Sequence, residues 1–149
     1  KFIVNEQFDS TSTLQSYYMG CRDIHDFFLL LDGDIIPQKN SFRSFLKRFS
    51  GVDVIGAAPA TTEDAVFVHK DNSNRIVAFT RDNPSPYEWS NIALLHSDHF
   101  INENIYVYQC IERFLPVCAE SIERLEIDTP ADLSYALEIM RKMPKEFLI

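Results

Sequence analysis

Glycine is scarce here: four residues in 149, at positions 20, 33, 51 and 56. Spaced so widely, they exclude a glycine-rich loop of the kind that cradles phosphates, which needs several within a few residues. Cysteine is scarce as well. Cys21, Cys110 and Cys118 form no C-x-x-C pair and have no histidine at zinc-binding spacing. Such spacing reads as reduced, buried thiols in a cytoplasmic protein, not a disulfide framework. Basic residues are outnumbered, 14 Lys and Arg against 22 Asp and Glu, for a net charge of −8 and a pI near 4.9. This argues against broad nucleic-acid or anionic-membrane binding, which draws on basic patches. No apolar run nears the roughly 20 residues that cross a bilayer, and no signal-peptide pattern opens the chain. No G-x-S-x-G and no Cys–His arrangement is present, so nucleophilic hydrolysis has no support.

What is present suits one domain over residues 1–149 with its own core: 46% of residues are hydrophobic and 24% charged. The chain is organised around Phe27-Phe28-Leu29-Leu30-Leu31-Asp32-Gly33-Asp34-Ile35-Ile36. Its continuous apolar run predicts a strand buried on both faces, as in a sheet covered by helices. Asp32 and Asp34 then fall at the strand's carboxyl end, where open α/β sheets bind ligands. Residues two apart share one face of an extended chain. Both carboxylates therefore suit one hard cation such as Mg²⁺, which takes one or two carboxylates plus phosphate oxygens. An Asp-Gly turn closing the strand is the plainer alternative.

Elsewhere, Lys1 to Val4 reads as a short strand. Leu14, Tyr17, Tyr18 and Cys21 recur at helical spacing after cap residues at 10–13. Ser41 reads as the cap of a second helix, with Phe42, Phe45, Leu46 and Phe49 on one face and Gly51 at its end. Val52 to Ala58 is a strand. Ala65 to His69 and Arg75 to Phe79 form a hairpin around Asp71-Asn72-Ser73-Asn74. Asn91 to Leu95 and Ile122 to Ile127 are strands, and Asn102 to Leu115 is helical. In Thr129-Pro130-Ala131-Asp132, a cap, a first-turn proline and a capping-box acid announce a last helix.

Further positions are candidates. Asp128 ends the last strand just before that helix, a setting like that of Asp34, so the two acids can meet over one sheet; capping the helix is its plain role. Glu88 and Trp89 follow a proline-rich loop and read as loop residues themselves, where they can line a small-molecule pocket or hold a cation by cation–π attraction. Covering the core edge is an equal alternative for the tryptophan. Arg81 ends the second hairpin strand and can meet a phosphate, or simply be solvated. His96 and His99, with Asp98 between them, fit a surface turn as well as a ligand pair.

Three stretches resemble the sugar-nucleotide pyrophosphorylase family of nucleotidyltransferases, in its choline-phosphate cytidylyltransferase branch. The segment Ser12-Thr13-Leu14-Gln15-Ser16-Tyr17-Tyr18 is similar to the family's N-x-x-S-L helix start, without a clear match to its Asn. Leu30-Leu31-Asp32-Gly33-Asp34 resembles its L-x-G-D strand end. Glu126-Ile127-Asp128-Thr129-Pro130-Ala131-Asp132-Leu133 resembles its E/W-I-D-T-x-x-D-L segment. The hairpin fits in order and position. The resemblance implies an α/β fold, a mixed and mostly parallel sheet with helices on both faces. It implies transfer of a nucleotidyl group from an NTP, CTP foremost, to a small phosphorylated acceptor such as phosphocholine or a sugar 1-phosphate, with release of pyrophosphate. It makes Asp34 and Asp128 the Mg²⁺-holding catalytic acids and places Glu88 and Trp89 near the acceptor. Arg81 falls close to where the family often has a Lys near the phosphates.

The family's opening strand and Gly-rich loop, L-A-A-G-x-G-x-R followed by P-K, have no counterpart here. The expectation is a C-terminal portion of such an enzyme, inactive by itself. A GT-A-type glycosyltransferase with Asp32-Gly33-Asp34 as its D-x-D motif, and a non-catalytic domain of the same fold, are the rival readings.

Overall fold

The computed structural model describes residues 2–61 and 64–147. In chain order the elements are α1 (Thr13–Cys21), β1 (Phe27–Leu31), β2 (Ile35–Pro37), α2 (Lys39–Arg48), β3 (Val54–Pro59), β4 (Phe67–Lys70) and β5 (Arg75–Thr80). They continue with β6 (Tyr87–His96), α3 (Val107–Ile111), β7 (Val117–Ser121), β8 (Arg124–Glu126), α4 (Pro130–Lys142) and α5 (Pro144–Phe147). Six strands form one sheet in the order β1-β6-β3-β7-β5-β4, and β2 pairs with β8 in a separate two-stranded sheet.

The sheet is mixed, as expected, but its pairings correct the parallel reading. Among the described residues only β3–β7 is a parallel neighbour pair; β1–β6, β3–β6, β5–β7, β4–β5 and β4–β6 are antiparallel. The long strand β6 inserts between β1 and β3, so these two share a direction without touching. Helices do cover both faces. Leu14 and Cys21 of α1 and Val107, Cys110 and Ile111 of α3 pack with Leu30, Ile55, Ala93 and Leu95. Phe45 of α2 packs on the other side with Val54, Ile92 and Leu94. Consecutive residues of β3 and β6 alternate between the two clusters, as the pleat dictates.

β1 departs from the two-face burial its sequence predicts: Leu29 and Leu31 are 39% and 37% exposed. It is an edge strand, paired only with β6 among the described residues. Residues 2–5 form no strand. Gln38, not Ser41, caps α2, its side chain accepting from the Ser41 N–H. Asn102 to Leu115 is helical only at Val107–Ile111 and in a short turn over Glu112–Phe114. The strand expected at 122–127 is present only as the short β8, and β7 just before it is a strand the sequence reading does not assign. The hairpin is as predicted, with Asn74 in the left-handed region at its turn. So is the α4 start, where Thr129 and Asp132 satisfy each other's backbone N–H. Of the cysteines, Cys21 and Cys110 are buried but Cys118 is exposed. No helix among the described residues is long and apolar enough to cross a membrane.

Candidate active site

A cavity of about 410 Å³ opens where β1 and β6 meet α3 and β8. Asp32, Arg81, Glu88, Trp89, Asn91, Tyr106, Tyr108, Arg124, Glu126 and Asp128 are in its wall. Acids outnumber bases there, and both bases are arginines.

The two-stranded β2–β8 sheet brings the sequence-predicted acids together. Ile35 pairs with Glu126, and the Ile127 N–H donates to the Asp34 carbonyl over 3.0 Å. Asp34 enters β2 and Asp128 follows β8, so the two acids flank one ladder. Both are exposed, and among the described residues neither carboxylate has a hydrogen-bond or ion-pair partner. Asp128 lines the cavity; Asp34 stands next to that rim without lining it.

Asp32 does line the cavity, but its carboxylate is engaged. The Tyr17 hydroxyl donates to it. Burial raises the Asp32 carboxyl above its usual range, the Tyr17 bond opposes this, and nearby Asp34 adds to the rise. The Tyr17 hydroxyl is held well above its usual range by burial and by Asp32. The carboxyl of Glu126 is raised chiefly by burial, opposed by Arg124, with Asp128, Glu88 and Asp34 adding to the rise.

Glu88 and Trp89 are not in a loop: both lie in β6 and are buried. Glu88 is taken up by Arg124, 3.2 Å away, and accepts from the N–H and hydroxyl of Thr61. Arg124 also pairs with Glu126 at 2.8 Å. The Glu88 charge is therefore already matched from within. Trp89 stands edge-on to Phe79 in the core cluster, which is the core-edge role. Arg81 is exposed, and its guanidinium lies 5.3 Å from the Tyr106 ring centre and 5.7 Å from that of Tyr108, two stacked rings. This arginine has an aromatic support at the cavity wall, and no acid pairs with it among the described residues.

Sequence reasoning missed Arg124 and Asn91. Arg124 lies in the stretch read as the strand 122–127, where nothing local marks it as the buried partner of Glu88 and Glu126. For Asn91, an asparagine within an apolar strand was a signal available and unused.

Among the described residues no group of three or more His, Cys, Asp or Glu side chains is arranged to hold a metal ion. Mg²⁺ asks for less, since it keeps waters and shares substrate phosphate oxygens with one or two carboxylates. Asp34 and Asp128, whose carboxylates have no partner among the described residues, are the two acids that such a demand would draw on.

The architecture is one that solved nucleotidyltransferases share. The chain is similar to the inositol-1-phosphate CTP transferase from T. maritima, with a TM-score of 0.73 and 18% identity over 97% of this chain and 67% of that one. It is similar to HddC from Yersinia pseudotuberculosis, complexed with GMP-PN, with a TM-score of 0.67 and 12% identity over 94% and 66%. A Bacillus anthracis protein assigned as a glucose-1-phosphate thymidylyltransferase, in complex with a sucrose, gives 0.67 and 13% over 91% and 63%. The chain thus spans about two thirds of the length of each. Identities this low establish the fold. No protein-family model and no curated protein sequence matches the chain.

Proposed function

We propose that this chain is the acceptor-binding and metal-binding portion of a Mg²⁺-dependent nucleotidyltransferase. The reaction moves a nucleotidyl group from an NTP, CTP foremost, to a small phosphorylated acceptor such as phosphocholine or a sugar 1-phosphate, and releases pyrophosphate. The observation that carries this reading is the pairing of β2 with β8, which makes Asp34 a cross-strand neighbour of the residue before Asp128. Acids far apart in sequence become neighbours along the backbone beside a cavity whose wall holds Arg81, an arginine with no acid partner among the described residues. The names of similar solved proteins support it, since a CTP transferase of inositol 1-phosphate and a glucose-1-phosphate thymidylyltransferase pair a nucleotide with a phosphorylated acceptor.

Asp34 and Asp128 would hold Mg²⁺, which when bound supplies charge neutralisation on phosphate oxygens. Arg81 binds and orients the acceptor phosphate, its planar donors suited to that geometry. Trp89, Tyr106 and Tyr108 wall the acceptor off from water. No side chain is needed as general base, because phosphate is already a nucleophile and the work is positioning.

Calorimetric titration of the chain with phosphocholine, glucose 1-phosphate and inositol 1-phosphate, each with and without Mg²⁺, tests the reading. Mg²⁺-dependent binding of at least one is expected, with no pyrophosphate released from CTP by the chain alone, given its lack of a glycine-rich loop. No binding of any of the three overturns the proposal.

A further inference from the structure

Two described residues other than glycine have a positive φ, Asn74 and Asn91, both at 58°. Asn74 closes the β4–β5 turn, where left-handed backbone is ordinary. Asn91 lies inside β6, where it is not. The β3–β6 register runs from Ile55↔Ala93 to Ala57↔Trp89. Gly56 alone therefore faces Ser90, Asn91 and Ile92, a bulge that re-aims the Asn91 side chain toward the cavity it lines.

Asn91 makes two contacts there. Its carbonyl accepts from the Asp32 N–H over 3.3 Å, and its Nδ2 donates to the Glu126 carboxylate over 3.1 Å. Asp32 stands two residues before Asp34, and Glu126 two residues before Asp128. One residue of the six-stranded sheet thus grips both chains of the acid pair at matching distances along the backbone. The β2–β8 ladder fixes the two acids relative to each other. Asn91, with Arg124 bonded to the Trp89 carbonyl, fixes that ladder relative to the main sheet.

We propose that Asn91 is a positioning residue for the divalent-cation site: its left-handed backbone and its amide anchor the Asp34–Asp128 pair against the main sheet and so set cation affinity. This rests on the reading of Asp34 and Asp128 as cation ligands. Backbone strain held at a site by surrounding contacts is a recurrent functional device, and residues one step behind the ligands commonly govern metal affinity.

Mn²⁺, an EPR-visible stand-in for Mg²⁺, is titrated into the full chain and its Asn91→Gly and Asn74→Gly variants, with thermal unfolding followed by circular dichroism. Glycine accepts the left-handed backbone freely, so Asn91→Gly loses the amide without a forced refolding. Its unfolding midpoint is expected to stay within a few degrees of the parent, while Mn²⁺ dissociation rises by about tenfold or more. Asn74→Gly changes neither affinity nor spectrum. Unchanged Mn²⁺ affinity in Asn91→Gly overturns this inference and leaves the proposed function standing. Absence of Mn²⁺ binding by the parent chain removes both.

Discussion

The Ile127 N–H donates to the Asp34 carbonyl across 3.0 Å, tying the residue before Asp128 to the other acid of the pair. Because the tie is between backbones, either carboxylate can be altered without loosening the ladder. Asp34→Asn and Asp128→Asn are each expected to keep the parent's far-ultraviolet spectrum and unfolding midpoint. Each is expected to weaken Mn²⁺ by about tenfold or more, since an amide is a poorer and uncharged ligand for a hard cation. Parent-like Mn²⁺ affinity in both would remove these acids from the mechanism.

The sequence made most elements, and the approach of Asp34 to the segment before Asp128, legible for identifiable reasons. Asp34 ends the Asp-Gly-Asp turn that follows an apolar run, Asp128 comes directly before a helix cap, and Thr129-Pro130-Ala131-Asp132 carries its cap geometry in adjacent residues. β1 misled because five apolar residues in a row describe a strand's neighbours on its faces, not its place in the sheet order. Glu88 and Trp89 misled because the prolines at 84 and 86 suggested a loop that ends just before them. What stayed illegible is what long-range pairing creates. Arg124 meets Glu88 across 36 residues, and the bulge at Asn91 exists only against Gly56. The first leaves no local pattern, and the second only a lone asparagine ahead of an apolar run.

Asp32→Asn separates the two enzyme readings and has a defined pH signature. A carboxyl whose folded value is raised favours the fold below its ordinary value, 3.8, and loses that contribution as pH rises through the folded value. Near neutral pH the buried, ionised Asp32 therefore costs stability, despite the Tyr17 bond. Asp32→Asn is expected to raise the urea midpoint at about pH 7, with the gain vanishing near about pH 3. Mn²⁺ affinity should persist, because Asp34 and Asp128 remain. Loss of Mn²⁺ binding would favour the D-x-D glycosyltransferase reading, in which both Asp32 and Asp34 serve the cation.

Gly56 is required by space. A Cβ there would lie 2.3 Å from Ser90 Oγ and 3.0 Å from both Ile122 Cγ2 and the Ile92 carbonyl. Ser90 is buried and its hydroxyl donates to the Gly56 carbonyl over 2.8 Å. Gly56→Ala is expected to cost about 1–3 kcal/mol, the usual range for overpacking. Adding Ser90→Ala removes the worst clash and should recover part of the loss. The two changes will then be non-additive, as contacting sites generally are. Additive urea-unfolding energies would mean that the strands part instead of clashing.

Glu88 and Arg124 form a buried pair, with side chains only 4% and 6% exposed, and the arginine is the more costly of the two to remove. Arg124 serves two acids at once, Glu88 at 3.2 Å and Glu126 at 2.8 Å. Arg124→Met leaves both carboxylates facing each other, with Asp128 also near Glu126. Breaking a buried pair from one side costs about 3–5 kcal/mol, and this change should fall in that range. Glu88→Gln is milder, because Arg124 keeps Glu126 and the Thr61 N–H keeps an oxygen to donate to. Removing both partners, as Glu88→Leu with Arg124→Met, should cost less than Arg124→Met alone, since one fewer charge is left unmatched. Urea titration of the three variants checks the order. An Arg124→Met protein as stable as Glu88→Gln would mean that water reaches the pair and that the site floor is open to solvent.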